Sequence, residues 1–320
     1  MKRYAPYLVL AALALLPFFG LNTYLMHIII LSVMWTVAGI AWNLLGGYCG
    51  QVSFGHAAFF GMGAYSGGLL AVHFGASPWW GLLLAIPTSA LVALIMGSIV
   101  LRLRGPYFVL ATLAIGEVMR IMAENLTGLT KGTLGIMITR TWVDKLPYYY
   151  VILALAALAF LVSRVIVRSR LGYYFVAIRE DQDAAESMGI PTTLYKTIAL
   201  TVSAMLTGLA GAFYTSYMGY IDPQVVFSLG DISILIIMVV MVGGVATEWG
   251  PAVGSVIMVL LAEAIRSIPT LGVAHQTLFG ILLIVIIIYL PNGLVGDLPA
   301  VLRRLMSGRQ PKTAPAKEVA

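Results

Sequence analysis

Apolar stretches of 17 to 26 residues recur along this chain, each closed by charges or by proline, glycine or asparagine. Ten stand out, at 5–21, 24–45, 52–74, 79–101, 106–125, 148–167, 194–219, 229–247, 251–267 and 273–290. A helix needs about 20 apolar residues to cross the hydrocarbon of a bilayer. The pattern therefore predicts an all-α integral membrane protein, a polytopic bundle of about ten transmembrane helices. The glycine-rich 52–74 and the short 251–267 are the weakest of the ten and read either as full spans or as broken or re-entrant segments, which are tolerated only where protein or a water-filled cavity surrounds them.

One polar stretch interrupts this pattern. Residues 172–193 hold Arg179, Glu180, Asp181, Asp183 and Glu186, yet keep apolar positions at helical spacing in Ala177, Ile178, Ala184, Ala185 and Met188. The spacing predicts an amphipathic helix over about 174–189, stopped by Gly189 and Pro191. Helices that lie on lipid are usually basic on the polar face. Four acids against one arginine predict instead a surface that docks into a groove on another protein.

Composition agrees with the membrane reading. Hydrophobic residues make up 60% of the chain, charged residues 10%, and mean hydropathy is +0.96. Soluble domains carry roughly 25% charged residues. The net charge of +6 is no sign of nucleic-acid binding, because the basic residues gather at span ends. With the N-terminus in the cytoplasm, fourteen of the nineteen Lys and Arg fall inside, and Arg120, Lys131, Arg140, Lys145 and Arg266 fall outside. That bias predicts both termini inside and places 172–193 in the cytoplasm. Lys2 and Arg3 followed by Ala5–Phe19 resemble a signal peptide, but no small-residue cleavage site follows. The run reads as a first membrane helix kinked at Pro17. The tail 306–320, with Pro311 and Pro315, reads as disordered and cytoplasmic. Residues 1–305 read as one membrane domain. The outer loop 126–147 reads either as a solvated connector or as a rest for an external partner.

Glycines crowd 46–68, at 46, 47, 50, 55, 61, 63, 67 and 68. Gly46 with Gly50, and Gly63 with Gly67, have the spacing that lets membrane helices approach closely. Close packing is the default reading of this density. Gln51, Ser53 and His56 add polarity, and glycine-rich backbone beside polar side chains is also how membrane proteins contact small polar solutes. Gly46, Gly47, Gln51, Ser53, Gly55 and His56 are therefore the candidates for a translocation pathway. His56 itself reads more simply as a histidine hydrogen-bonded to a neighbouring helix. Glu117, Arg120 and Glu124 share one helix face and read as self-neutralising, as do Glu263 and Arg266. Glu248, in a Gly- and Pro-rich hairpin at 241–254, reads either as a hold on a neighbouring loop or as solvated.

Energy must come from elsewhere. No phosphate-binding GxxxxGK[ST] loop, HExxH or GxSxG occurs in the chain. Cys49 is the single cysteine, so neither an internal disulfide nor a cysteine metal site is possible. No metal ligand set, bound cofactor or catalytic residue is expected.

The motifs SFGHAAFFGMGAY (53–65), AIREDQDAAESMGI (177–190), GLAGA (208–212) and LPNGL (290–294) together resemble the permeases of branched-chain amino-acid ABC importers, the LivM-like branch. The resemblance covers about 24–296. It implies a permease subunit in a prokaryotic inner membrane that works with a sister permease, two cytoplasmic ATPase subunits holding ATP and Mg, and a periplasmic binding protein. It also implies that 177–190 is the coupling helix, with Arg179, Glu180, Asp181, Asp183, Ala184, Ala185, Glu186 and Gly189 at the ATPase contact. One departure is Ala246, where the family usually has glycine, which puts the closeness of that hairpin in doubt. The rival readings are a permease of the same kind for urea or short amides, and an ion-coupled transporter working alone. The last is disfavoured by the acidic helix and by the absence of unpaired acids in mid-span.

Overall fold

In a computed structural model, the residues described are 13–20, 22–266, 277, 280, 281, 284 and 293–296. Ten helices of six residues or more carry the labels used below: α1 (Thr23–Trp42), α2 (His56–Phe74), α3 (Trp80–Val100), α4 (Pro106–Asn125), α5 (Leu146–Arg168), α6 (Arg170–Glu180), α7 (Gln182–Ser187), α8 (Thr192–Met218), α9 (Leu235–Gly243) and α10 (Gly250–Arg266). A six-residue π turn, Asn43–Tyr48, continues α1, and a second, Leu229–Ile234, leads into α9. Among the described residues, seven segments are long and apolar enough to cross a membrane: Thr23–Tyr48, α2, α3, α4, α5, α8 and Pro223–Gly243. Each matches a predicted span. The eighth match, α10, is short, as its sequence suggests. Of the predicted span 5–21, the described part ends in a 3₁₀ turn, Leu16–Phe19, with Pro17 inside it. The span 273–290, but for four scattered positions, and the tail 306–320 lie outside the described residues.

Lipid is as apolar as leucine, so membrane helices are held by close contact rather than by a hydrophobic drive. The glycines supply that contact. A β-carbon on Gly63 of α2 would lie 1.9 Å from the Gly208 carbonyl oxygen of α8. One on Gly211 would lie 1.9 Å from the Phe60 carbonyl oxygen, and one on Gly81 of α3 would lie 2.3 Å from the α-carbon of Gly67. Backbones of α2, α3 and α8 therefore touch directly, and Ala204, Ala210 and Ala212 of α8 are also buried. Packing is thus what Gly63 and Gly67 do. Gly243 and Gly254 bring α9 and α10 together in the same way. On α3, Leu83, Leu91, Leu94, Ile95 and Ile99 form an exposed outer face suited to lipid.

Contacts between loops sort them onto two ends, as alternate crossing requires. At one end, rich in ion pairs, the 101–105 turn meets α7, and the 43–50 turn meets both α6 and the 244–249 hairpin. At the other, rich in aromatics, strand β1 (Ile136–Met137) pairs antiparallel with β2 (Tyr220–Ile221), Ile136 opposite Ile221. There Tyr24 donates to Glu263 at 2.7 Å, and the Trp79 indole donates to Thr141 at 3.1 Å. Loop 126–147 is therefore no loose connector: Ile136 and Ile138 within it are buried, and two short helical turns precede them.

Candidate functional site at the charged end

The predicted single helix 174–189 is two. Ser169 caps α6 by accepting from the Leu171 amide. At Asp181 the backbone is extended (φ −157°, ψ 110°), and its Oδ1 accepts from the Ala184 amide at 3.0 Å. That is the geometry of an N-cap, so Asp181 ends one helix and starts the next. Ile178 and Ala185 face the bundle, 3% and 4% exposed, whereas Met188, expected on the same stripe, is 83% exposed. Ala184 and Gly189 are exposed beside it, with Gly189 in the left-handed region (φ 82°) that favours glycine.

Most of the acids are occupied within the chain. Arg104, from the turn after α3, pairs with Asp183 at 2.5 Å and Glu186 at 3.2 Å. Exposed ion pairs of this kind add little stability; two on one guanidinium fix where α7 lies. Glu186 also accepts from the Thr192 hydroxyl at 2.5 Å and the Gln182 amide at 2.8 Å. These bonds, with help from Arg104, hold its carboxyl below the ordinary range. Beneath α7, the Lys196 ammonium of α8, 1% exposed, donates to Gln182 Oε1.

Arg179 turns back toward the bundle. It pairs with Glu180 at 2.7 Å, and its Nη1 donates to the Gly47 carbonyl at 3.3 Å. Gly50 (φ 72°) lets the two segments meet, since a β-carbon there would lie 2.7 Å from Arg179 Cγ. One turn earlier, Asn43 is 3% exposed and reads the 244–249 hairpin with both ends of its amide. Nδ2 donates to the Thr247 carbonyl at 3.0 Å, and Oδ1 accepts from the Ala246 amide at 2.8 Å. Gly47 leaves room for this, because a β-carbon would lie 2.0 Å from Asn43 Oδ1. Glu248 then pairs with Arg164 at 3.3 Å and Arg168 at 3.8 Å on α5, which resolves its role in favour of holding a neighbour. A connected set of polar contacts thus runs from α6 through the 43–50 turn and the hairpin to α5.

Ala246 departs from glycine at a position with φ 55°. The hairpin stays close because Asn43 holds it, at a cost to the backbone of about 1 kcal/mol. Ala246→Gly is expected to raise the unfolding free energy by up to that amount, less the entropy glycine loses; thermal unfolding in detergent measures it.

The pathway candidates sit at the foot of α2 and are packed by protein. His56 Nε2 lies 2.8 Å from the Ser203 hydroxyl, which itself donates to the Ala41 carbonyl at 2.6 Å, so Nε2 carries the proton in this bond. Ser53 accepts from the Gly55 amide through its hydroxyl and from the Trp42 indole through its carbonyl. Ser233 caps the Ala57 amide at 2.9 Å. Gly46 lies under the Trp42 ring and Gly55 against Thr112, while the Gln51 amide reaches the Cys49 carbonyl at 3.4 Å. The structure brings Gly47 and Arg179 together, and keeps His56 and Ser53 in a separate buried cluster. Sequence reasoning missed Asn43, Arg104, Lys196 and Ser203. Of these only Lys196 carries a local signal, as a cation inside an apolar helix.

At the opposite end Arg120 bonds to both Glu117 and Glu124 along one face, as expected, with one cation shared between two acids. Glu263 accepts from Tyr24; the side chain of Arg266, its expected partner, lies outside the described residues. Among the described residues no three His, Cys, Asp or Glu side chains converge on a possible metal position.

Residues 24–288 match the family described as branched-chain amino acid transport system / permease component. Over 295 residues the chain is 28% identical to the high-affinity branched-chain amino acid transport system permease protein LivM of Salmonella typhimurium, and 27% identical to the LivM of Escherichia coli. Each alignment covers 83% of this chain and 68% of the relative. The probable branched-chain amino acid transport permease protein LivM of Methanocaldococcus jannaschii is 23% identical over 245 residues, 69% of this chain and 70% of that one.

Proposed function

This chain belongs to the family of permease components of branched-chain amino acid transport systems, and from that premise we propose that it carries branched-chain or closely related amino acids inward as one permease subunit of an ABC importer. Residues 1–305 form the permease unit. Its partners are a sister permease, two ATPase subunits that bind ATP and Mg, and an external binding protein that delivers the solute. The charged end faces the cytoplasm, as do both termini, because fourteen of nineteen basic residues then lie inside. That orientation puts the aromatic end outside.

In this reading α6 and α7 form the coupling element. The observation that carries it is Met188, an apolar side chain 83% exposed at the tip of an otherwise acidic cap. Isolated from the core and following the exposed Asp183, Ala184 and Glu186 in the chain, it fits the groove of a partner. Arg104 supports the cap from below and ties its displacement to the α3–α4 turn. Arg179 ties it to the 43–50 turn and thence, through Asn43 and Glu248, to α5. Closure of the ATPases would then be felt by four helices at once. The pathway candidates Gly46, Gly47, Gln51, Ser53, Gly55 and His56 stand at the cytoplasmic foot of α2, where such movement would rearrange them.

Met188→Asp tests the docking. The side chain supports nothing in its own bundle, so the thermal midpoint of the purified chain should be unchanged. In the reconstituted importer, uptake is expected to fall about tenfold or more, equivalent to about 1.4 kcal/mol of lost contact. Wild-type uptake with wild-type substrate-stimulated ATPase would remove α7 from the ATPase interface.

A further inference from the structure

At the aromatic end, a cavity of about 150 Å³ opens between the start of α1, the 140–145 segment, the start of α5 and the end of α8. Its wall includes His27, Arg140, Trp142, Lys145, Tyr148 and Tyr217. Each polar group is fixed in place. Arg140 donates to the Met218 carbonyl at 3.2 Å, and Lys145 to the Thr23 carbonyl at 3.0 Å. Tyr217 meets His27 Nδ1 at 2.5 Å, and the Tyr148 hydroxyl takes both the amide and the carbonyl of Trp142. The rings stack edge to face, Trp142 on Tyr148 at 5.3 Å and Tyr148 on Tyr217 at 5.3 Å. Aromatic walls locked by their own hydrogen bonds are a preformed site, of the apolar kind with a few placed polar groups that small solutes use.

The charge balance of this cavity is one-sided. Five of the arginines elsewhere meet acids: Arg104, Arg120, Arg164, Arg168 and Arg179. Among the described residues no carboxylate pairs with Arg140 or Lys145, and both are anchored through neutral carbonyls that leave their remaining N–H groups to spare. Burial, and then the Arg140 charge beside it, push the Lys145 ammonium below its ordinary pKa. Two cations turned to one small aromatic space, with no acid of their own, lack an anion.

We propose that this cavity binds the carboxylate of a small aliphatic solute, with Arg140 and Lys145 holding the carboxylate and Trp142, Tyr148 and Tyr217 covering the hydrocarbon. A space of this size accepts a guest of about six heavy atoms, the volume of benzene, which suits a short-chain acid or a small amino acid and excludes peptides and sugars. The site is a property of this chain whichever solute the importer carries. Its failure would leave the permease reading untouched, and failure of that reading would leave the site.

Calorimetric titration of the full-length chain in detergent with isovalerate tests it, with isovaleramide as a neutral probe of the same shape. Isovalerate is expected to saturate near about 1 mM, and isovaleramide to bind about tenfold more weakly. Arg140→Gln and Lys145→Gln should each weaken isovalerate about tenfold without moving the thermal midpoint, while Lys145→Arg should retain binding. Equal binding of acid and amide, or wild-type affinity in the Arg140→Gln, Lys145→Gln double variant, overturns the proposal. So does the absence of saturable heat, including the case in which only an acidic polypeptide is held there.

Discussion

Gly63→Leu is expected to prevent the bundle from assembling. The first atom of the new side chain would lie 1.9 Å from the Gly208 carbonyl oxygen and 2.6 Å from the Gly208 α-carbon. Both obstacles are backbone, so no rotamer change relieves the clash. Separating α2 from α8 would also part Gly211 from Phe60 and carry Gly67 away from Gly81. Overpacking a core costs about 1–3 kcal/mol where side chains can yield; here three helix backbones would have to separate, and a loss above about 4 kcal/mol is expected. Size-exclusion chromatography of the solubilised protein should find aggregate in place of a monodisperse peak. Gly189→Leu is the contrast. Its side chain meets open space, leaving only the left-handed backbone cost of about 1–2 kcal/mol in an exposed turn. A monodisperse Gly63→Leu protein with a normal midpoint would mean that α2 and α8 do not touch there.

Asn43→Ala should be the most damaging change at the charged end. It removes two hydrogen bonds and strands the Ala246 amide and the Thr247 carbonyl in a partly buried hairpin. Each buried polar group left unpaired costs about 1–3 kcal/mol, so a loss of about 2–4 kcal/mol is expected. Asn43→Asp separates the two bonds: it keeps an acceptor for Ala246 but turns a second oxygen toward the Thr247 carbonyl, and should be no better than alanine. Function should suffer beyond stability. With the hairpin released, Glu248 still holds α5 but no longer links it to the 43–50 turn, so less solute should move per ATP. Unfolding midpoints and the ratio of uptake to hydrolysis measure the two effects separately. An unchanged midpoint in Asn43→Ala would show that the amide is not what closes this hairpin.

Hydropathy located the spans because the bilayer imposes one length on every crossing segment, and α1 to α5, α8 and the Pro223–Gly243 segment that ends in α9 each carry that length in their own residues. Small-residue spacing likewise announced that Gly63 and Gly67 pack, though not against what. Partners such as Gly208 for Gly63, or Ser203 for His56, lie more than a hundred residues away, and no local pattern encodes them. The acidic stretch was legible in its charge but not in its shape. Its apolar positions repeat after seven residues, from Ala177 and Ile178 to Ala184 and Ala185, which a single helix would also produce. The break lies in Asp181, whose carboxylate caps its successor while staying exposed; an Asp three residues before Ala184 is a common arrangement within helices too. Asn43 was overlooked for a related reason. A lone amide at the end of an apolar run resembles a helix stop, and only the folded chain brings Ala246 and Thr247 within its reach.

The two-residue ladder between β1 and β2 has a mechanical corollary. Together with the Ile138 amide bond to Gly219 and the Arg140 bond to Met218, it laces the approach to α5 onto the exit of α8. Rods tied at one tip part at the other, as the legs of a pair of compasses do. Freedom to spread is thereby concentrated at the foot of these two helices, where α6 and α7 bridge them, and a thrust of a few ångströms applied there would be spent on opening rather than on sliding the whole assembly.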